Sequence, residues 1–223
     1  MILSATKKAD GNRATLDDLF RRAGVRHADA LALADPPNCE NLTGRPPRRL
    51  TYAEADRAIS ALAAKLRSFG LQTDAVVAIQ LANSVDSIIA LLGVLRAGMI
   101  AAPVPLLWCM QDIVPALSPI GAKAIITSAR IGARAQADIA MQVAAELFPI
   151  RYVCGFGQNL PDGVVSLDEN NVPVPAEFLQ PSGRPGDAAA HVAVVTFDVT
   201  IDGLVPVARS PRELIAGGLG VLR

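Results

Sequence analysis

The hydrophobic pattern is sharpest between residues 75 and 105, where it predicts strand, helix, strand. Ala75-Val76-Val77-Ala78-Ile79 is an unbroken apolar run, as required of a strand covered on both faces. Asn83 and Ser84 end the following turn and suit a helix N-cap. Over residues 85–97, Ile88, Ile89, Leu91, Leu92 and Leu95 form one broad apolar face. Gly98 then stands at C′, where glycine alone adopts left-handed backbone cheaply. Ile100-Ala101-Ala102-Pro103-Val104-Pro105 reads as the second strand, closed by prolines that give no donor to a ladder. Such a unit is a right-handed parallel crossover.

The same alternation continues on both sides. Residues 1–12 read as a loose tail. Thr15 caps a helix over 16–23, with Asp17 and Asp18 in its first turn and Arg21 and Arg22 in its last, as the helix dipole favours. His27 reads as a solvated loop residue, residues 30–34 as a short strand. Residues 36–49 carry four prolines and three arginines and read as a solvated loop in preference to an anion site. Thr51 and Glu54 have the spacing of a capping box, opening a helix that runs to Phe69 with Ile59, Leu62, Leu66 and Phe69 as its stripe. Helices follow over 110–120, despite Pro115, and over 133–148, with strands near 121–127 and 150–154. Regular alternation of this kind predicts an α/β fold, a doubly wound and mostly parallel sheet flanked by helices.

Gly155-Phe156-Gly157-Gln158-Asn159-Leu160 lacks the third glycine of a dinucleotide fingerprint and runs into Pro161-Asp162-Gly163 instead of a helix. A pyrophosphate needs that helix terminus, so the segment reads as a turn. Residues 170–187 read as a linker, which divides the chain into 1–49 (tail, short helix and Pro/Arg-rich loop), 50–169 (the α/β layer), 170–187 (linker) and 188–223 (the start of a second layer).

Three of these segments together resemble a known superfamily, the AMP-forming adenylating enzymes. Its members include acyl-CoA synthetases, peptide-synthetase adenylation domains and firefly luciferases. Asn83-Ser84, the run from Ala90 to Gly98 and Pro103-Val104-Pro105 are similar to its P-N-S, L-x-A-G and V-P-L signature. Leu50-Thr51-Tyr52-Ala53-Glu54-Ala55 matches its L-T-Y-x-E-L with only the last residue changed. Gly121-Ala122-Lys123-Ala124-Ile125-Ile126-Thr127 matches its G-A-K-x-x-I-T strand. These are packing and capping residues. They identify a family and carry no chemistry.

Composition removes other classes. Formal net charge is zero and aromatic residues make up 4% of the chain, which excludes an electrostatic nucleic-acid binder. Cys39, Cys109 and Cys154 are scattered without metal-ligand spacing, so they read as reduced thiols and no metal site is expected. The start of the chain is no signal peptide. Residues 87–108 are long enough to span a bilayer, but Arg96 lies near their centre, where a charge costs roughly 2.5 to 3.5 kcal/mol. Glycine and two prolines also interrupt them. A cytoplasmic protein with no membrane span is the reading.

The resemblance implies ATP and magnesium, coenzyme A as co-substrate, and a carboxylic acid, a fatty acid first among them. It also implies where ATP would be held. After a buried strand such as His191-Val192-Ala193-Val194-Val195, the family carries T-S-G-T-T-G-x-P-K-G, whose open backbone and lysine wrap the phosphates. The corresponding residues here are 196–207. The lysine position is a valine, the first glycine is gone, and Phe197, Val199 and Ile201 add apolar bulk. Asp198 and Asp202 would repel a triphosphate unless a metal lay between, and the family histidine falls on Pro211. Thr196, Thr200 and Gly203 are the surviving candidates for phosphate contact, in a loop that reads as degenerate. No catalytic residue is assigned.

The resemblance covers only the N-terminal part of a longer family member, without the adenine pocket, the Y-G-x-T-E segment or the C-terminal lysine domain. The expectation is an acyl-CoA synthetase-like fragment that is inactive alone. The alternative is a non-catalytic scaffold that keeps the fold and has lost ATP. A closing apolar helix near 211–223 predicts self-association, as a dimer.

Overall fold

A computed structural model describes residues 14–168, 186–201 and 203–221. The expected tail, nearly all of the linker and Asp202 lie outside the described residues. The elements are α1 (Leu16–Arg26), β1 (Leu31–Ala34), α2 (Cys39–Thr43), β2 (Arg49–Thr51), α3 (Tyr52–Ser68), β3 (Val76–Ile79), α4 (Val85–Arg96) and β4 (Ile100–Pro103). They continue with α5 (Met110–Leu117), β5 (Ala124–Ser128), α6 (Gln136–Glu146), β6 (Tyr152–Phe156), β7 (Val164–Ser166), β8 (Val194–Thr200), β9 (Gly203–Arg209) and α7 (Pro211–Val221).

Seven strands form one sheet in the order β7-β6-β5-β3-β4-β8-β9. Every neighbouring pair is parallel except the antiparallel β8–β9 hairpin. The expected mostly parallel α/β sheet is therefore present. β1 and β2 pair separately as a small antiparallel ribbon. The expected second layer from residue 188 is not separate. Ala101 pairs with Val194, so β8 and β9 extend the same sheet.

Strand alternation sorts the core into two faces. Val77, Ile79, Ala124, Ile126, Cys154 and Phe156 point toward α3 and α4, against Ile59, Leu62, Leu66 and Ile89. The intervening Ala78, Ile125 and Val153 point the other way, toward Ile113 and Leu117 of α5 and Ala140 and Val143 of α6. Helices on both faces explain why the strands read as continuous apolar runs.

Several boundaries differ from the sequence reading. α5 stops at Leu117, two residues past Pro115, which cannot donate to the carbonyl four residues back. α6 begins only at Gln136, because Ile131 and Arg134 form a short bridge just before it. β6 extends through Gly155 and Phe156, so these two residues are strand and not turn. The chain leaves the sheet at Gly157, with φ 107°.

Candidate functional site

Ala193 and Val195 belong to the sheet's interior, with Ala193 2% exposed, and the chain then runs outward along β8. From Val194 to Thr200 every residue pairs with one from Arg209 back to Gly203. The segment expected as a degenerate loop is thus a hairpin ladder between Val194–Thr200 and Gly203–Arg209. Directly opposed residues share a face, so Thr196, Asp198 and Thr200 stand on one face together with Val207, Val205 and Gly203. The other face carries Phe197, whose ring lies 5.5 Å from that of Trp108, just ahead of α5.

The three candidate residues are thereby brought to one face, with their polar groups engaged inside the hairpin. Thr200 Oγ1 donates to the Gly203 carbonyl at 2.9 Å, and Thr196 Oγ1 reaches the Val207 carbonyl at 3.5 Å. Gly203 takes φ 117° at the turn's end, where a side chain would be strained. Val205 stands directly across from the exposed carboxylate of Asp198. Ser210 then opens α7 by a capping box: its backbone N–H donates to Glu213 Oε2 at 2.7 Å and its hydroxyl receives Glu213 N–H at 3.3 Å. The Ser210 backbone bond to the Glu213 carboxylate holds that group below its ordinary value.

At the far end of the sheet, the Pro/Arg-rich loop does more than sequence suggested. Asp35 Oδ1 accepts the Val85 N–H at 2.7 Å, completing the N-terminus of α4 from outside the helix. Arg45 Nη1 bridges Asp86 Oδ2 at 3.0 Å and Asp168 Oδ1 at 2.9 Å. Arg48 pairs with Asp86 and, at 3.8 Å, with Asp35. Burial raises the Asp86 carboxyl above its ordinary value even against these two arginines. The signal that was missed is the run of isolated aspartates at element ends, Asp35, Asp86 and Asp168. Each faces an arginine distant in sequence.

Three kinds of likeness follow from this architecture. The family model for AMP-binding enzymes matches residues 20–191. The chain belongs to the AMP-binding enzyme family. A probable non-canonical nonribosomal peptide synthetase of Salinispora arenicola is 28% identical over 207 residues, which are 92% of this chain and 2% of that protein. Among solved structures, the acetoacetyl-CoA synthetase of Streptomyces lividans superimposes with a TM-score of 0.77 at 18% identity, covering 93% of this chain and 32% of its own. A putative long-chain-fatty-acid CoA ligase of Rhodopseudomonas palustris gives 0.72 at 19% identity, covering 94% of this chain and 47% of its own. The chain therefore spans less than half of each solved relative. The family match ends three residues before β8 begins. No described helix is long and apolar enough to cross a membrane, and no described cluster of His, Cys, Asp and Glu could hold a metal ion.

Proposed function

We propose that this AMP-binding-family chain is the N-terminal portion of an adenylate-forming, acyl-CoA synthetase-like protein and that alone it completes no adenylation. The whole protein would join a carboxylic acid to AMP and then to coenzyme A. A fatty acid is the first substrate to try, given the likeness to a long-chain-fatty-acid CoA ligase.

One observation carries the reading: the β8–β9 ladder runs through the residues that correspond to the family's phosphate segment. ATP and magnesium do not fit these residues. The ladder commits the backbone N–H groups that face the partner strand, Thr200 bonds within the hairpin, and a valine supplies no charge where the family has lysine. Asp198 adds a like charge beside any phosphate.

Titrating ATP with magnesium into this chain by calorimetry tests it, beside a variant whose residues 197–205 carry the family's glycine- and lysine-bearing sequence. No heat from the natural chain is expected. Micromolar binding by it would overturn the reading. Binding by the rebuilt variant alone would place the loss in the hairpin.

The scaffold reading is favoured by a separate observation. Val199 and Ile201 of the hairpin are 77% and 102% exposed, an apolar surface of the kind that partners cover. In that reading the chain self-associates as a dimer through this surface, and light scattering over a wide concentration range would show mass rising above that of the monomer.

A further inference from the structure

In an open α/β sheet the usual ligand crevice lies outside the carboxyl ends of strands where the strand order reverses. That point falls between β3 and β5, which lead away from each other across the sheet. The chain's own loop seals it. Gln80 Nε2 donates to the carbonyls of Pro105 and Trp108 at 2.9 and 3.3 Å. Arg134 donates to those of Leu106 and Trp108 at 3.1 and 3.3 Å. Gln136 closes the set on Gln80.

A cleft of about 780 Å³ opens instead beyond the carboxyl ends of β5, β6 and β7, with residues 43–48 as its opposite wall. That volume is within the roughly 300–1,000 Å³ of small-molecule sites. Part of its lining is apolar: Ala58, Ala61, Leu62, Ile89, Phe156 and Leu167. The opposite wall is pinned by the pairs of Arg45 and Arg48 with Asp86 and Asp168. Those arginines are neutralised where they stand.

Lys65 and Arg130 are different. Lys65, half-buried, and Arg130, exposed at the rim, both line the cleft, and neither has a carboxylate at ion-pair distance among the described residues. Lys65 Nζ donates to the Ser166 carbonyl and Arg130 Nη1 to the Gly132 carbonyl at 3.2 Å, both neutral acceptors. Gly44 makes room for the second of these. A Cβ there would sit 2.8 Å from Arg130 Nε, so only glycine lets the guanidinium lie against this wall. Asp138, the remaining carboxylate of the lining, is exposed.

We propose that this cleft binds an amphipathic organic anion, with a carboxylate or phosphate head on Lys65 and Arg130 and an apolar body against Leu62, Ile89 and Phe156. Two cations with only neutral partners, facing a half-apolar cavity, select a ligand with one charged end. The site lies across the sheet from β8 and β9, so it stands or falls independently of the hairpin's relation to ATP.

The test uses the isotope-labelled chain and three probes with one tail: octanoate, octyl phosphate and octanol. Saturable amide shifts confined to Arg130, Gly157 and Gln158 are expected with the anions, with octanol about tenfold weaker or more. Lys65→Ala with Arg130→Ala should weaken both anions by at least about tenfold at an unchanged unfolding midpoint. Ala61→Trp should fill the cleft and abolish binding, and the double variant decides if that protein does not fold. The tighter anion identifies the head group. Octanol binding as tightly as octanoate, shifts centred on Val199 and Ile201, or no saturable shift with either anion would overturn the proposal.

Discussion

Asp17 and Arg96 stand 79 residues apart and meet in a two-point ion pair, Nε and Nη2 of the arginine reaching Asp17 Oδ1 at 3.0 and 2.7 Å. Nη1 donates to the Asp56 carbonyl at 3.0 Å and to Ser60 Oγ at 2.7 Å, and Nη2 also faces Asp56 Oδ1 at 2.8 Å. Arg96 is 6% exposed, and each of its three guanidinium nitrogens donates at least one hydrogen bond. Burial opposes its charge, yet Asp17 and Asp56 hold its pKa above the ordinary value. This one charge ties α1, α3 and α4 together. Asp17→Ala should cost about 3 kcal/mol, the scale of breaking a buried pair from one side. Replacing both partners with apolar residues should cost less. Urea unfolding of the three proteins checks the order.

Gly93 of α4 faces Leu62 of α3 with no room for a side chain. A Cβ added there would lie 2.3 Å from Leu62 Cδ2 and 3.2 Å from Leu62 Cβ. Alanine would improve helix propensity by up to about 1 kcal/mol, but overpacking costs about 1 to 3 kcal/mol. Gly93→Ala should therefore destabilise, and pairing it with Leu62→Ala should give less than the sum of the two losses. Denaturant midpoints of the double-mutant cycle decide this.

Two carboxylates should push stability in opposite directions with pH. Backbone and side-chain bonds from Thr51 lower the Glu54 pKa from 4.5, so its stabilisation is present above that value and lost as pH falls through the folded pKa. Burial raises the Asp86 pKa from 3.8. Its contribution is full below that value and is lost as pH rises through the folded pKa. Glu54→Gln should flatten the acid loss of stability. Asp86→Asn should flatten the opposing slope. Unfolding midpoints between acid and neutral pH distinguish the two.

Thiol chemistry should report burial residue by residue. Burial pushes the Cys154 thiol up to about 12, and Cys39 is 3% exposed. Cys109 is half-buried at the start of α5. A chromogenic disulfide at pH 8 should label one thiol quickly in the native chain and all three after unfolding. A second fast thiol would contradict the packing.

Trp108 is the sole tryptophan and packs on Phe197, which makes it a reporter of the hairpin. Phe197→Ala should expose the indole and shift its emission to the red, while far-UV circular dichroism stays close to that of the parent.

Much of this architecture is legible in residue order. The capping boxes at Thr15 and Thr51 form as their spacing requires, and Gly98 takes the left-handed turn after α4. These features depend on neighbours within a few residues. α2, β2 and β7 are too short, at five, three and three residues, to establish a period. β9 was hidden because its pattern matches a loop's: Pro206 and Gly203 are turn residues in sequence, and only pairing with β8 makes them strand. The arginines of residues 36–49 read as solvated because their partners lie 38 and 41 positions away. Of the candidate segment, its place after the buried strand could be read but the zipped geometry could not.

The Asp35 carboxylate that completes α4 has a consequence for the order of events in making the protein. It precedes the N–H it accepts by 50 residues. During synthesis that acceptor has already emerged when α4 forms, so the helix meets its missing partner ready-made. A denatured full-length chain must close a loop of that size first, at an entropic cost that grows only with the logarithm of its length. A chain begun after Asp35 would have no such partner at any stage. Its fourth helix would be the first to fray, although not one of that helix's own residues had changed.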